Sequence, residues 1–241
     1  VVSPFFPQIV PAEERSCLYF LMTWHEGATL QQMLDTDHHF TVAEVVQHGV
    51  RLLKGIAALH RLEIAHRDIK PANVHLGHDG RLRVLDLGVA VSSGESAKHE
   101  GNPGTPSFMA PELFDGVAAG VEHDLYAAGV TLYHLLTRKY PYGEIEPFQH
   151  PNFGEPLAPT RYRPDIPGWL ENVLLKAVAK DPAQRFETAE EFLLALERGA
   201  NRPLGRPPAT PLAMRNPLLT WRVIAALSLM LNLLLLMLLT R

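Results

Sequence analysis

The sequence predicts an α+β fold that is mostly helical and begins with a short β region. Apolar residues recur at three- and four-residue steps in several stretches after residue 41, which is typical of amphipathic helices. Short apolar runs separated by turn residues lie on either side of the first such stretch and favour β-hairpins. Residues 221–239 form one apolar run long enough for a membrane-spanning helix.

The amino-terminal region is predicted to be a hairpin. Its two apolar runs, Phe5 to Val10 and Leu18 to Met22, are separated by a charged segment. Residues 23–27 then break the apolar pattern. From Ala28 to Leu34 the apolar residues have helical spacing, so we expect a helix to begin at Ala28.

A long amphipathic helix is predicted to follow, opened by a capping box in which Thr41 precedes Glu44 by three residues. The helix leads directly into a polar segment, His66-Arg67-Asp68-Ile69-Lys70-Pro71-Ala72-Asn73. A rigid helix that ends where reactive side chains begin is a suitable support for a site carried on a loop.

The polar segment holds a carboxylate, an ammonium group and a carboxamide within six residues. These are the groups that phosphoryl transfer requires, because the protein has to orient a hydroxyl, neutralise phosphate oxygens and hold magnesium. Asp68 can accept or orient the proton of an attacking hydroxyl, and Lys70 can balance phosphate charge. Asn73 offers a neutral oxygen that suits magnesium.

A second hairpin is predicted at residues 74–76 and 82–85, because the sequence His78-Asp79-Gly80 between them is a turn signal. It ends at Asp86-Leu87-Gly88. An isolated Asp-x-Gly is a common turn, but here it follows Asn73 by thirteen residues and comes directly after a hairpin.

These motifs resemble those of eukaryotic-type protein kinases. The segment from His66 to Asn73 resembles the catalytic loop, with the Lys-Pro pair that is typical of kinases acting on Ser or Thr. Asp86-Leu87-Gly88 is similar to the Asp-Phe-Gly motif, and Ala110-Pro111-Glu112 matches the Ala-Pro-Glu motif. The resemblance covers about residues 1–197 and implies a protein-kinase-like fold, with a large helical lobe and a truncated β small lobe.

The resemblance also implies roles for individual residues. Asp68, Lys70 and Asn73 would be catalytic, and Thr105 would hydrogen-bond near them. Asn73 and Asp86 would bind Mg²⁺, or Mn²⁺ in its place, beside the phosphates of ATP. The adenine would contact a further set of residues, namely Met22, Thr23, Trp24, His25 and His75. His75 departs from the family pattern, which usually has an aliphatic residue under the adenine ring.

Residues 89–104 resemble an activation segment. In this family the residue that corresponds to Arg67 usually pairs with a phosphate on that segment, so Ser92, Ser93 and Ser96 are candidate acceptors. The alternative is an unmodified loop in which Arg67 pairs with an acid. The resemblance supplies Arg185 as a buried partner for Glu112.

Further helices are expected at Leu125 to Leu136, Leu170 to Ala179 and Thr188 to Leu196, the last opened by a second capping box. Asp124 is expected to open the first of these and to hold the backbone of the catalytic loop.

Residues 201–220 are rich in proline and arginine and are interpreted as a linker. The run at 221–239 has Arg222 as its only charge and would span roughly 28 Å as a helix, close to the thickness of a bilayer core. The arginines before it predict a single-pass cell-membrane protein with a cytoplasmic kinase domain.

Composition excludes several other classes. A net charge of -4 and a pI near 6.3 offer no basic face for a nucleic acid. The single Cys17 cannot form an internal disulfide, and the histidines lack the spacing of a zinc site.

The domain prediction is therefore a partial small lobe and hinge at 1–26, a large lobe at 27–200, the linker at 201–220 and the membrane helix at 221–239. A glycine-rich loop and a small-lobe lysine are missing from the sequence, so we expect the fragment alone to be inactive. The longer parent would phosphorylate protein Ser or Thr, with an upstream phosphatase domain as a conjecture. Self-association through the kinase or the membrane helix stays open.

Two alternatives remain. One is an inactive pseudokinase that acts as a membrane-tethered scaffold, and the other is a tail-anchored structural protein that uses the fold as a spacer. Retention of Asp68, Lys70, Asn73 and Asp86 argues against the scaffold, whereas His75 favours it.

Overall fold

Six α-helices and two small antiparallel sheets make up the part of the chain that the structure describes. The structure is a computed structural model, and it describes residues 24–92, 104–146 and 151–201. The helices, in chain order, are α1 Leu30–Asp35, α2 Val42–His60, α3 Pro111–Phe114, α4 Val121–Thr137, α5 Gly168–Ala177 and α6 Ala189–Ala200. The strands are β1 Gly27–Thr29, β2 Ile64–Ala65, β3 Val74–Gly77, β4 Leu82–Val84 and β5 Val91–Ser92.

The larger sheet has the strand order β1-β3-β4. The predicted hairpin is confirmed as β3 and β4, in which His75 pairs with Arg83, and Gly80 takes a positive φ of 72° in the turn. On its other edge β3 pairs with β1, which places Thr29 opposite His75. The smaller sheet pairs β2 with β5.

The prediction of a helix from Ala28 is wrong at its start, because residues 27–29 form β1 and the helix begins at Leu30. Pairing with β3 supplies hydrogen-bond partners that the sequence pattern did not reveal. The threonine that ends the strand also caps α1, since Thr29 Oγ1 accepts a hydrogen bond from the Gln32 N–H at 3.1 Å.

The start of α2 is confirmed. The N–H of Thr41 donates to Glu44 Oε2 at 2.7 Å, and the N–H of Glu44 donates back to Thr41 Oγ1 at 3.2 Å. At α6 only half of the predicted capping box forms. Thr188 accepts from the Glu191 N–H at 3.1 Å, but the Glu191 carboxylate binds the Glu187 N–H and Lys176 instead.

Two other predicted helices are shifted along the chain. α4 begins at Val121, four residues before the predicted start, so Asp124 lies inside its first turn. α5 covers Gly168–Ala177 rather than residues 170–179.

The core lies where α2 crosses α4 and α6, with α5 packed against α4. Leu53 and Ile56 of α2, Leu132 of α4 and Phe192 of α6 are all at most 1% exposed. Burying one such side chain contributes about 1.5–3 kcal/mol. The result is a rigid base for the loops at one end of α2 and α4.

The remaining predictions concern residues outside those the structure describes. They are the hairpin at 1–22, the linker after Asn201 and the membrane helix at 221–239. Within residues 24–92, 104–146 and 151–201, none of the helices combines the length and the apolar character needed to cross a membrane.

Candidate active site

The polar loop that follows β2 is held by a single buried carboxylate. Asp124 is 1% exposed, and its Oδ2 and Oδ1 accept hydrogen bonds from the N–H groups of His66 and Arg67, both at 2.8 Å. His60 Nε2, at the end of α2, lies 2.9 Å from Asp124 Oδ2. The expectation that Asp124 holds the loop backbone is therefore confirmed. Arg67 adopts a positive φ of 70°, which is uncommon for a residue with a side chain.

The four predicted catalytic residues lie together at this loop. Lys70 Nζ lies 2.8 Å from Asp68 Oδ2 and donates to Thr105 Oγ1 at 2.8 Å. Thr105 Oγ1 in turn donates to Asp68 Oδ1 at 3.4 Å. Asn73 Nδ2 donates to the Asp68 carbonyl at 2.8 Å and to its Oδ2 at 2.9 Å. The Asp68 side chain is 15% exposed, so a substrate group can still reach it.

The second motif lies alongside the first. The N–H of Leu85 donates to the carbonyl of Asn73 at 2.8 Å, which brings the residue before Asp86 against the catalytic loop. Asp86 is exposed, has a positive φ of 62°, and accepts a hydrogen bond from the Gly88 N–H at 3.0 Å through Oδ1. Left-handed backbone at a residue other than glycine is often found at functional sites.

The side chains of Asn73 and Asp86 carry the kinds of oxygen atom that a magnesium ion binds. None of the described residues donates a hydrogen bond to Asn73 Oδ1 or to Asp86 Oδ2, so both atoms are open to a ligand. Magnesium is usually bound by one or two such groups together with substrate phosphates and water. Accordingly, residues 24–92, 104–146 and 151–201 contain no group of three His, Cys, Asp or Glu side chains arranged as a complete metal site.

His66 has a role that the sequence analysis missed. It is fully buried, its Nδ1 accepts the Asp68 N–H at 3.3 Å, and its Nε2 lies 2.9 Å from the Leu85 carbonyl. Because Nδ1 is an acceptor here, the hydrogen belongs on Nε2, which donates to Leu85. The imidazole therefore ties the loop of Asp68 to the segment of Asp86. Its position directly before Arg67 and Asp68 was the only signal in the sequence.

Of the predicted base-binding residues, Trp24 and His25 precede β1 and His75 lies in β3. Trp24 is 85% exposed, whereas His75 is buried and its Nδ1 has no partner among the described residues. Burial lowers the pKa of His75, and the nearby Arg83 and His25 lower it further. His25 Nε2 is also buried and unpartnered within the described part of the chain. Met22 and Thr23 lie outside the described residues.

The Arg67 side chain is 9% exposed, and no described residue bonds its Nε. Burial lowers its pKa, and the Asp124 carboxylate opposes that effect. Ser92 is exposed on β5, while Ser93 and Ser96 lie outside the described residues. Phosphorylation of these serines stays a prediction.

The predicted pair of Glu112 and Arg185 is confirmed. Arg185 is 6% exposed and donates to both carboxylate oxygens of Glu112, at 2.6 and 2.8 Å. Its guanidinium carbon also lies 4.7 Å from the centre of the Tyr126 ring. Burial opposes ionisation of Glu112, but the contacts of its carboxylate with His123 and Arg185 outweigh burial and lower the pKa of Glu112 to about 2. His123 is a second residue that the sequence analysis missed.

Comparison with known proteins agrees with this geometry. A family model described as "Protein kinase domain" matches residues 9–193. Serine/threonine-protein kinase PrkC of Bacillus subtilis is 35% identical over 186 residues, which cover 75% of this chain and 28% of PrkC. A probable serine/threonine-protein kinase of Streptomyces coelicolor is 33% identical over 187 residues, covering 74% of this chain and 28% of that protein.

Serine/threonine-protein kinase PknB of Mycobacterium tuberculosis is 30% identical over 201 residues, covering 80% of this chain and 32% of PknB. The chain thus spans less than a third of the length of these curated relatives.

Replacing Asp124 by alanine should release the catalytic loop. Two buried N–H groups would lose their acceptor, and each unsatisfied donor costs about 1–3 kcal/mol. We expect a lower free energy of unfolding in urea and faster amide exchange at His66 and Arg67. The exposed Glu187 serves as the control, because its replacement by alanine should change neither quantity. Unchanged exchange at the two loop amides would contradict the assigned role of Asp124.

Glu112 should make stability depend on pH in the acid range. Its folded-state pKa is about 2, below its ordinary value of 4.5, so the ionised form stabilises the fold above pH 4.5. This contribution, about 3 kcal/mol for a shift of two to three units, is lost as the pH falls toward 2. The difference in unfolding free energy between the wild type and Glu112→Gln should therefore shrink between pH 4.5 and 2. A difference that stays constant over this range would show that Glu112 ionises normally.

Proposed function

This chain belongs to the protein kinase family, and from that premise we propose that the intact protein transfers the γ-phosphoryl group of ATP to Ser and Thr hydroxyls of other proteins. The observation that carries the proposal is the cluster of Asp68, Lys70, Asn73 and Thr105 on one loop and the segment that faces it.

Within this cluster Asp68 is the group that orients the attacking hydroxyl and accepts its proton. Its carboxylate already accepts hydrogen bonds from Asn73 and Thr105, so its direction is set before a substrate arrives. Pre-arrangement of this kind lowers the cost of reaching the reactive geometry. Thr105 places the segment of this chain on which the protein substrate would dock next to the same carboxylate.

Lys70 supplies positive charge at the point of transfer. Its ammonium group bridges Asp68 and Thr105, which holds it beside the carboxylate where it would balance negative charge on the transferred phosphoryl group. Asn73 and Asp86 would hold magnesium through the oxygens that no described residue occupies. Magnesium, when bound, would neutralise charge on the phosphates of the nucleotide.

The adenine is proposed to lie against β3, where His75 faces the site with an unpartnered ring nitrogen. Trp24 and His25, together with Met22 and Thr23, would contact the edge of the base. A buried imidazole in this place can stack on a purine ring.

The test is a kinase assay on the intact protein with radiolabelled Mg²⁺-ATP and matched peptides that carry Ser, Thr or Tyr. Transfer is expected to Ser and Thr. The Asp68→Asn variant should lower the turnover rate by about 10²–10⁴-fold while nucleotide affinity changes little, because a general base is lost but no nucleotide contact. Asp35→Asn, an exposed carboxylate on α1, is the matched control. Full turnover by Asp68→Asn would rule out the proposed role of Asp68.

The scaffold alternative makes a different prediction in this assay. A pseudokinase would show no transfer to any of the three peptides, and Asp68→Asn would leave its partner binding intact. The buried polar His75 favours this alternative, as does the missing glycine-rich loop.

We also propose that residues 221–239 anchor the protein in the cell membrane, with the kinase domain in the cytoplasm. The support is the apolar character of this run, in which Arg222 is the only charged residue. The intact protein should stay in the membrane pellet after an alkaline carbonate wash, and deletion of residues 221–239 should move it to the supernatant. Release of the undeleted protein by the wash would contradict the anchor.

A further inference from the structure

His123 is a buried histidine that the proposed chemistry does not use. It is 4% exposed and is the third residue of α4, directly before Asp124. It also lines a small cavity together with Arg67, Asp68, Gly104 and Thr105, between the catalytic loop and the end of the activation segment. Its ring is therefore placed between the two segments that have to meet for phosphoryl transfer.

The two ring nitrogens have different partners. Nδ1 accepts a hydrogen bond from the N–H of Gly120 at 2.8 Å, which satisfies one of the free donors at the start of α4. Because Nδ1 is an acceptor in this bond, the hydrogen lies on Nε2. Nε2 is 3.1 Å from Glu112 Oε1, and no other described residue pairs with it.

The contact between Nε2 and Glu112 is within hydrogen-bond range, but its alignment falls outside that of a well-formed hydrogen bond. It therefore acts mainly through the attraction between the N–H dipole and the carboxylate charge. Arg185 holds the same carboxylate through two short hydrogen bonds, one of them to the Oε1 atom that faces His123. Glu122 is the other charged group near the ring, with its Oε1 3.2 Å from Nδ1.

Glu112 lies close behind the segment that carries Thr105. It is part of α3, which follows Thr105 and the turn at Pro106–Phe108. On the other side of His123, Asp124 binds the backbone of the catalytic loop. His123 and Asp124 are consecutive residues of one helical turn. His123 contacts Glu112, behind the segment of Thr105, and Asp124 binds the catalytic loop. The two segments meet where Thr105 contacts Asp68 and Lys70.

We propose that His123 is a positioning residue of the phosphoryl transfer, which fixes the substrate-docking segment relative to the catalytic loop by joining Glu112 to the first turn of α4. This inference rests on the proposed function. It requires that His123 acts through Glu112 on protein-substrate binding and turnover, and that it does not act on nucleotide binding.

Two replacements of His123 distinguish its contact with Gly120 from its contact with Glu112. In His123→Asn the carbonyl can still accept the Gly120 N–H, but nothing reaches Glu112. In His123→Gln the longer side chain can accept the Gly120 N–H and also donate to Glu112. His39→Asn is the matched control, because His39 is a histidine with a 77% exposed side chain.

In the intact protein, His123→Asn should raise the peptide KM or lower kcat, with a combined loss in kcat/KM of about tenfold, since an N–H dipole that faces a buried carboxylate is removed. Nucleotide affinity should stay the same. His123→Gln should restore kcat/KM to the wild-type range, and His39→Asn should leave it unchanged. In the Glu112→Gln background, His123→Asn should have no further effect on kcat/KM, because the group through which it acts is gone.

Amide hydrogen exchange separates this proposal from the proposed function, because it needs no activity. Peptides from residues 104–112 should exchange faster in His123→Asn than in the wild type and in His123→Gln. If the wild type transfers no phosphate, the proposed function fails, and the exchange rates still decide whether His123 positions this segment. The inference is overturned if exchange is equal in all three proteins, if the effects of His123→Asn and Glu112→Gln are additive, or if His123→Gln shows the same loss in kcat/KM as His123→Asn.

Discussion

The site depends on a buried negative charge that is kept in place by backbone amides. Asp124 is nearly inaccessible to water, and its carboxylate accepts two N–H groups of the catalytic loop and faces His60. A buried carboxylate is costly unless its oxygens are satisfied, and buried amides are costly unless they find an acceptor. Here the carboxylate oxygens and the loop amides satisfy one another, so the loop has one favoured position relative to α2 and α4. The left-handed backbone at Arg67 is tolerated because both of its neighbours are held.

The position of this loop fixes the side chains that the proposed phosphoryl transfer uses. Asp68 is surrounded by donors from Lys70, Asn73 and Thr105, so its carboxylate is oriented without being covered. His66 connects the loop to the carbonyl of Leu85, one residue before Asp86. The candidate metal ligands thus lie on two segments that share hydrogen bonds, and the proposed reaction depends on their relative position. Glu112, Arg185 and His123 form a second buried polar cluster, close in sequence to the segment that carries Thr105.

Much of this could be predicted from sequence, and the errors have physical causes. The capping box at Thr41 and the turn at Gly80 were read correctly because their hydrogen bonds join residues two to four positions apart. Residues 28 and 29 of β1 were read as helix because their partner strand is β3, almost fifty residues away. The start of α4 was placed too late because its N-cap residue is Gly120, whose N–H donates to His123 Nδ1. Ser, Thr, Asp or Asn at the N-cap position would be the usual signal.

By itself the sequence determined the identity of the reactive groups, the family to which they belong, and the local elements whose stabilising contacts lie within a few residues. The tertiary structure alone decided which groups the buried histidines contact. His60 lies against Asp124, 64 residues after it, and the ring of His66 lies against the Leu85 carbonyl, 19 residues after it. Such pairings depend on how helices pack, and no local pattern encodes them. For the same reason the roles of His66 and His123 emerged only when their surroundings were known.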